Sequence, residues 1–147
     1  MIVPDGRTAA PEWSYTTTKP SVGWENPDFD ASGWAKGQAG FGTEGTPAVA
    51  VKTKWDRDDI WLRRNLTLPN ADYTKAVLTL FHDEDVEIYF NGILAASEPS
   101  YISNYETMDI SPDAKKLLRS GQTITIAVHC HQTTGGQGID VGIAFLK

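Results

Sequence analysis

The sequence predicts an all-β protein, namely an antiparallel β-sandwich of the jelly-roll type with one short helix. Three observations support this. Apolar and polar residues alternate with a period of two through most of residues 60–145, turn residues separate the alternating segments, and only one segment carries helix-start signals. The chain has 147 residues, enough for one domain with its own core. It contains no internal repeat and no linker, so residues 1–147 are assigned to a single domain.

Residues 1–59 carry the weakest strand signals. This segment is rich in Gly, Pro, Thr and Trp, and residues 14–18 are its clear strand candidate. We expect a loop-rich segment that wraps the sandwich, with one or two further strands. Trp24 and Trp34 flank a turn-rich stretch and are expected to pack over the core.

Strand signals become regular at residue 60. From Ile60 to Leu68 the aliphatic residues share one face, while Trp61 and Arg63 share the other. Arg64 falls among the core-facing positions. Because an unpaired buried guanidinium is costly, we expect it to pair with a carboxylate, for which the candidates are Asp83, Asp85 and Asp140. Further strands are predicted at residues 75–82, 86–90, 93–96, 105–110, 122–130 and 139–145.

One hairpin turn and one helix have clear local signals. Asn91-Gly92 supplies the residues that tolerate positive φ in a tight turn between two strands. Ser111 is a helix N-cap residue with Pro112 at the first helical position, and Gly121 ends the segment. The sequence therefore predicts a helix over residues 112–119.

The order of strands predicts which loops meet. If each strand crosses the sandwich once, successive connections alternate between its two ends. The turn of residues 83–85 defines end A, and loops 43–59, 98–104 and 131–138 then share that end. The Asn91-Gly92 turn, the helix and loop 69–74 lie at the opposite end, end B.

End A gathers aromatic rings, carboxylates, amides and imidazoles, which are the groups that stack on and hydrogen-bond to a sugar. The candidate carbohydrate-binding residues are Trp55, His82, Asp83, Tyr101, His131, Gln132 and Gln137. Tyr101 or Trp55 would stack on the ring, and the polar side chains would donate or accept hydrogen bonds.

Composition excludes several classes of protein. The formal net charge of −6 and the scattered Lys and Arg argue against a nucleic-acid partner, because phosphate binding needs a basic face. No apolar stretch reaches the roughly 18 residues needed to span a membrane. Cys130 is the single cysteine, so an internal disulfide is excluded, and its apolar strand face predicts a buried, inert thiol.

The histidines and the carboxylates are the candidate groups for metal binding and catalysis. His82, His129 and His131 match no standard zinc spacing, so we assign no metal ligand and no cofactor, although a structural calcium held by loop carboxylates stays open. Glycosidic cleavage needs two carboxylates at a fixed separation, whereas Asp83, Glu84 and Asp85 are adjacent in one turn. We therefore assign no catalytic residue.

Several segments resemble the galactose-binding-like β-sandwich modules of bacterial glycoside hydrolases, and are similar to the sugar-binding domains of β-galactosidase-type enzymes. The matching stretches are residues 24–34, 40–42, 59–64, 82–92, 126–131 and 138–142. The resemblance implies a jelly-roll fold and an accessory role beside the catalytic domain of a periplasmic or secreted parent enzyme. It does not imply catalysis by this domain.

Three functional hypotheses follow. The first is a non-catalytic module that binds a poly- or oligosaccharide for a larger polysaccharide-degrading enzyme. The second is a purely structural module that braces a catalytic domain outside this chain. The third is a small stand-alone glycosidase or metal-dependent enzyme, which would need a deep pocket with two carboxylates or a metal.

Overall fold

The computed structural model describes residues 2–46 and 49–146, which form eleven strands and one helix. In chain order the elements are β1 (Glu12–Thr16), β2 (Ala35–Gln38), β3 (Phe41–Gly42), β4 (Thr53–Lys54), β5 (Asp59–Thr67), β6 (Ala76–Asp83), β7 (Asp85–Phe90), β8 (Ile93–Glu98), β9 (Glu106–Met108), α1 (Pro112–Lys115), β10 (Thr123–His131) and β11 (Gly138–Phe145).

The strands form two sheets. The six-stranded sheet has the order β2-β1-β5-β10-β7-β8, and the five-stranded sheet has the order β4-β3-β11-β6-β9. The strands pair antiparallel, except β3 and β4, which are parallel. The chain passes between the sheets from β5 to β6 and back again to β7. The predicted all-β sandwich with one short helix is confirmed.

The core lies between the sheets and follows the predicted alternation. On β10 the side chains of Ile124, Ile126, Val128 and Cys130 are at most 1% exposed. Their cross-strand neighbours on β7, which are Val86, Ile88 and Phe90, are at most 2% exposed, because side chains that point to one face of a sheet must find apolar partners on the facing sheet. Cys130 is buried as predicted.

Every strand predicted between residues 60 and 145 is present, with ends that differ from the prediction by at most two residues. Asn91 and Gly92 have φ values of 49° and 83°, as a tight hairpin turn between β7 and β8 requires. The helix is shorter than predicted. It ends at Lys115, after which i→i+3 hydrogen bonds to the carbonyls of Ala114 and Lys115 continue as turns.

The N-terminal segment contains more strand than predicted. β1 overlaps the predicted strand, but three further strands follow it, where one or two were expected. β3 and β4 have two residues each, and β2 has four. Strands this short contain too few residues to show alternation, so they are defined by their pairing partners and not by their own pattern.

The outer face of the six-stranded sheet is partly covered by residues 23–34, held there by Arg63. The Arg63 guanidinium is 5% exposed and donates hydrogen bonds to the carbonyls of Trp24, at 2.5 Å, and Asn26, at 2.7 Å. It also donates to the carbonyl of Phe29, at 3.3 Å, and lies over that ring. The prediction that Trp24 and Trp34 pack over the core is corrected: neither belongs to the core cluster, and Trp24 packs edge-on against Tyr89 outside the sheet.

The expected ion pair of Arg64 does not form with any described carboxylate. Asp140 is buried at 1% exposure, but it accepts hydrogen bonds from the Gly6 amide and the Tyr105 hydroxyl on the far side of the five-stranded sheet. Arg64 instead lies over the Trp13 ring, 6.0 Å from its centroid. The expectation was wrong because Asp140 belongs to the opposite sheet and faces away from β5.

Candidate functional site

The four loops predicted at end A do meet there. The Glu84 amide donates to the carbonyl of His131, at 3.2 Å, and the Gln132 amide donates to the carbonyl of Asp58, at 2.7 Å. The Ile102 amide donates to the carbonyl of His82, at 3.1 Å. These main-chain bonds join loops 43–59, 83–85, 98–104 and 131–138 into one continuous surface.

Four of the seven candidate sugar-binding residues are buried and hold these loops together, which corrects their predicted role. Trp55 is 1% exposed and belongs to the core, with its indole N–H donating to the Asp59 carbonyl at 3.1 Å. Its ring face cannot stack on a sugar because core side chains already cover it. Gln137, 6% exposed, donates from its amide to the Arg57 carbonyl at 2.7 Å.

His82 and Gln132 are buried in the same way. The Nδ1 atom of His82 lies 2.6 Å from the Glu84 carbonyl and 3.0 Å from the Ser100 carbonyl, so it carries the proton. Gln132 is 8% exposed and donates from Nε2 to the Gly135 carbonyl at 2.9 Å. Both side chains join one loop to its neighbour, a role that does not leave them open to a sugar.

Three candidate residues reach the surface of end A. Tyr101 is 61% exposed. Its loop is anchored by the Ser100 amide, which donates to the Asp85 carboxylate at 2.6 Å. The His131 side chain is 42% exposed, and Asp83 is half-buried. Burial, together with the neighbouring carboxylate of Glu84, raises the pKa of Asp83.

A polar cluster beside end A was missed by the sequence reasoning. Asp59 Oδ1 lies 2.7 Å from His129 Nε2 and 2.8 Å from His131 Nδ1. The other nitrogen of His129 lies 3.2 Å from Glu87 Oε1, and Glu87 accepts a hydrogen bond from the Tyr89 hydroxyl at 2.9 Å. These residues form a continuous chain of hydrogen bonds on the outer face of the six-stranded sheet.

The register of the strands creates this cluster. His129 stands opposite Glu87 on β7 and opposite Trp61 on β5, and its ring stacks on the Trp61 ring with centroids 4.7 Å apart. His131 stands in the same way opposite Asp59 on β5. The sequence showed that His129 and His131 share a face. Finding their partners required the order β5-β10-β7, which no local pattern contains.

Contacts between imidazoles and carboxylates dominate the electrostatics of the cluster. Both nitrogens of His129 face carboxylate oxygens. The hydrogen bond to Asp59 raises the pKa of His131. Burial alone would raise the pKa of Asp59, but the two imidazoles outweigh burial and lower it.

The three histidines lie in two different environments. Among residues 2–46 and 49–146 no group of three or more His, Cys, Asp or Glu side chains is arranged to hold a metal ion. His82 faces loop carbonyls at end A, whereas His129 and His131 face carboxylates outside the sheet.

The carboxylates of the 83–85 turn serve as loop anchors. Glu84 accepts from the Thr134 amide at 3.0 Å, and Asp85 accepts from the Ser100 amide.

In the described part of the chain, no helix has the length and apolar character of a membrane span.

Comparison with known proteins places this fold in context. No protein-family model and no curated protein matches the sequence. A glycosyl hydrolase family 2 member from Bacteroides cellulosilyticus matches in structure with a TM-score of 0.58 and 14% identity, over 91% of this chain and 20% of that enzyme. A calcium-binding mutant of Bacteroides uniformis β-glucuronidase 2 gives 0.59 and 16%, over 90% of this chain and 17% of that one.

A third match is the Ruminococcus gnavus β-glucuronidase in complex with D-glucaro 1,5-lactone. It has a TM-score of 0.56 and 16% identity, over 92% of this chain and 28% of that enzyme. The chain thus spans between 17% and 28% of the length of these three enzymes. It has the β-sandwich fold of a domain that occurs within glycosyl hydrolase family 2 enzymes.

Proposed function

We propose that this chain is a non-catalytic accessory module of a larger periplasmic or secreted glycoside hydrolase, and that it contacts carbohydrate through end A. The observation that supports this proposal is the difference in coverage. The structural matches cover 90% or more of this chain but at most 28% of the three enzymes. Most of each enzyme therefore lies outside the shared fold.

The carbohydrate contact would rest on the exposed part of end A. Tyr101 presents an aromatic face in a loop fixed by the Asp85 carboxylate, and stacking on such a face tolerates many sugars. The exposed edge of His131 and the half-buried carboxyl of Asp83 can accept or donate hydrogen bonds to hydroxyls. The buried residues Trp55 and Gln137 keep these groups in place.

Such a shallow site binds weakly. A single exposed ring and two polar groups contact few ligand atoms, so we expect a Kd on the order of 10 µM to 1 mM. Weak binding is sufficient for a module that keeps a tethered catalytic domain near a polymer, because the tether supplies a high effective concentration.

The structural alternative is supported by the surface at end B. Phe145 and Leu146 are 40% and 50% exposed, and Phe145 packs edge-on against Tyr73. Tyr73 in turn lines a groove of about 610 Å³ next to α1. An apolar surface of this kind suits contact with another domain. In that case the module braces its parent enzyme and end A binds no sugar.

The test is binding of the purified chain to an array of plant and host glycans, with and without calcium. Tyr101→Ala and His131→Ala are compared with Leu94→Ala, which also shortens an exposed side chain but lies next to the hairpin turn at end B. Signal on one glycan class that Tyr101→Ala abolishes and Leu94→Ala retains supports the proposal. Silence from a folded chain would refute carbohydrate binding and favour the brace.

A further inference from the structure

A polar cavity opens where β1 separates from β5. The two strands pair from Thr16 opposite Trp61 to Ser14 opposite Arg63, and the ladder stops there. Beyond that point a cavity of about 380 Å³ lies between the strands and the segment of residues 29–32. Its volume is within the range of small-molecule sites, roughly 300–1,000 Å³.

This cavity concentrates positive charge in a chain whose net charge is −6. Three cationic residues line it, Lys36, Arg63 and Arg64, together with one acidic residue, Glu12. None of these four forms an ion pair with a described residue. Lys36 donates to the Ser14 hydroxyl at 2.8 Å, and Arg63 is committed to backbone carbonyls.

Arg64 is the group that this packing does not explain. Its Nη1 atom is buried and has no hydrogen-bond partner among the described residues. Burial lowers the pKa of the guanidinium, which means that burial destabilises its charged form. Buried donors in native proteins are nearly always paired, and Nη1 itself is not accessible from the cavity. Arg64 nevertheless lines the cavity and forms no hydrogen bond or ion pair with a described residue, so its remaining N–H groups are the donors left to bind an acceptor.

The acceptor that fits is an oxyanion. A guanidinium presents parallel N–H donors whose spacing matches two oxygens of a carboxylate or sulfate, and such charge-assisted bonds strengthen when water is excluded. Lys36 adds a second cation. The remaining lining suits a sugar ring, because Phe29 offers an aromatic surface and Ser32 and Asn65 offer hydroxyl and amide groups.

We propose that this cavity binds the carboxylate or sulfate group of an acidic saccharide, with Arg64 as the principal ligand and Lys36 as the second. That the anion is carried on a saccharide rests on the proposed function, whereas the anion site itself does not. Glu12 lines the cavity and is exposed, so its carboxylate repels an approaching anion and can turn outward when one binds.

The test is a titration of the isotope-labelled chain followed by amide chemical shifts. The probes are glucuronate, glucose 6-sulfate, sodium sulfate and uncharged glucose at constant ionic strength. We expect the two charged sugars to shift the amides of Ala31, Ser32 and Asn65 with a Kd on the order of 0.1 to 10 mM, and glucose not to. A preference between glucuronate and glucose 6-sulfate identifies the anion.

Variants separate the anion site from end A. Arg64→Gln should weaken binding of the charged sugars about ten- to a hundredfold, the loss expected for a hydrogen-bonded charge. Arg64→Lys should keep part of it, and Glu12→Gln should strengthen it. Lys116→Gln, which removes an exposed cation next to α1, serves as the control and should change nothing.

Each outcome bears on the proposal. Equal shifts with glucose, no shift with either charged sugar, or unchanged binding in a folded Arg64→Gln variant would overturn it. Sulfate binding as tightly as glucose 6-sulfate would keep the anion site and overturn the saccharide part. Glycan binding that Tyr101→Ala abolishes and Arg64→Gln leaves intact would uphold the proposed function while this inference fails.

Discussion

Arg63 holds the segment of residues 24–29 against the sheet, and replacing it tests whether that contact stabilises the fold. In Arg63→Met the side chain keeps its apolar stem but loses three hydrogen bonds, to the carbonyls of Trp24, Asn26 and Phe29. A hydrogen bond contributes a net ~0.5–1.5 kcal/mol, so the free energy of unfolding should fall by about 2–4 kcal/mol. The lower end applies if the segment detaches and water satisfies the carbonyls.

Urea denaturation measures the loss of stability, and hydrogen exchange locates it. In the wild type the Asn26 and Phe29 amides donate to backbone carbonyls within the segment, and in Arg63→Met they should exchange faster, while the amides of β10 change only with global stability. Arg64→Met is the matched control, because it makes the same substitution at the adjacent residue, whose guanidinium forms no hydrogen bond with a described residue. A loss below about 1 kcal/mol in Arg63→Met, or equal losses in both variants, would refute the reasoning.

Three further predictions concern ionisable side chains. Arg64→Met should raise the free energy of unfolding by about 0.5–2 kcal/mol, because it removes an unpaired, half-buried charge; a destabilised variant in urea titration would contradict this. Burial raises the pKa of Asp140 to about 6, so its stabilising contribution is complete at low pH and is lost as pH rises. The difference in free energy of unfolding between the wild type and Asp140→Asn should therefore fall by about 2 kcal/mol between pH 4 and 7, and an unchanged difference would refute the shift. The Asp59 hydrogen bond raises the pKa of His131, so His131→Gln should cost most below pH 6.5 and least above the folded pKa; an unchanged cost across that range in thermal unfolding would count against the ion pair.

The sandwich could be predicted because its evidence is local and repeated. Alternation in residues 60–145 fixes which side chains face inward, and a shift by one residue would expose all of them. The Asn91-Gly92 turn then sets the register of β7 and β8. β2, β3 and β4 escaped prediction because they are short and are held by neighbouring strands.

The meeting of the four loops at end A was also predictable, but the burial of each side chain was not. A polar residue in a loop is expected to face water unless a partner is known, and the partners of Gln137 and His82 are main-chain carbonyls of other loops. Such bonds depend on the final path of the backbone. Trp55 shows the same limit, since its position in a loop did not reveal that core side chains enclose it.

Two parts of the described structure contain buried polar atoms without hydrogen-bond partners. In residues 2–46 and 49–146 three buried side-chain atoms have no hydrogen-bond partner: Arg64 Nη1, His82 Nε2 and Gln132 Oε1. One belongs to a residue that lines the cationic cavity, and the other two belong to end A. His82 Nε2 lies 3.6 Å from Glu98 Oε1, too far for a good hydrogen bond.

Arg64 offers a test between binding and pure bracing. A module whose sole role is to pack through end B has no reason to leave donors and acceptors unsatisfied elsewhere, since each costs stability that selection can recover with an apolar substitution. If the cavity serves an anion, an apolar substitution of Arg64 should raise the free energy of unfolding and weaken binding of that anion. If Arg64→Met is more stable than the wild type while the chain binds neither glycans nor acidic sugars, the unpaired guanidinium serves no ligand. The structural role, in which the module braces its parent enzyme, is then the better explanation.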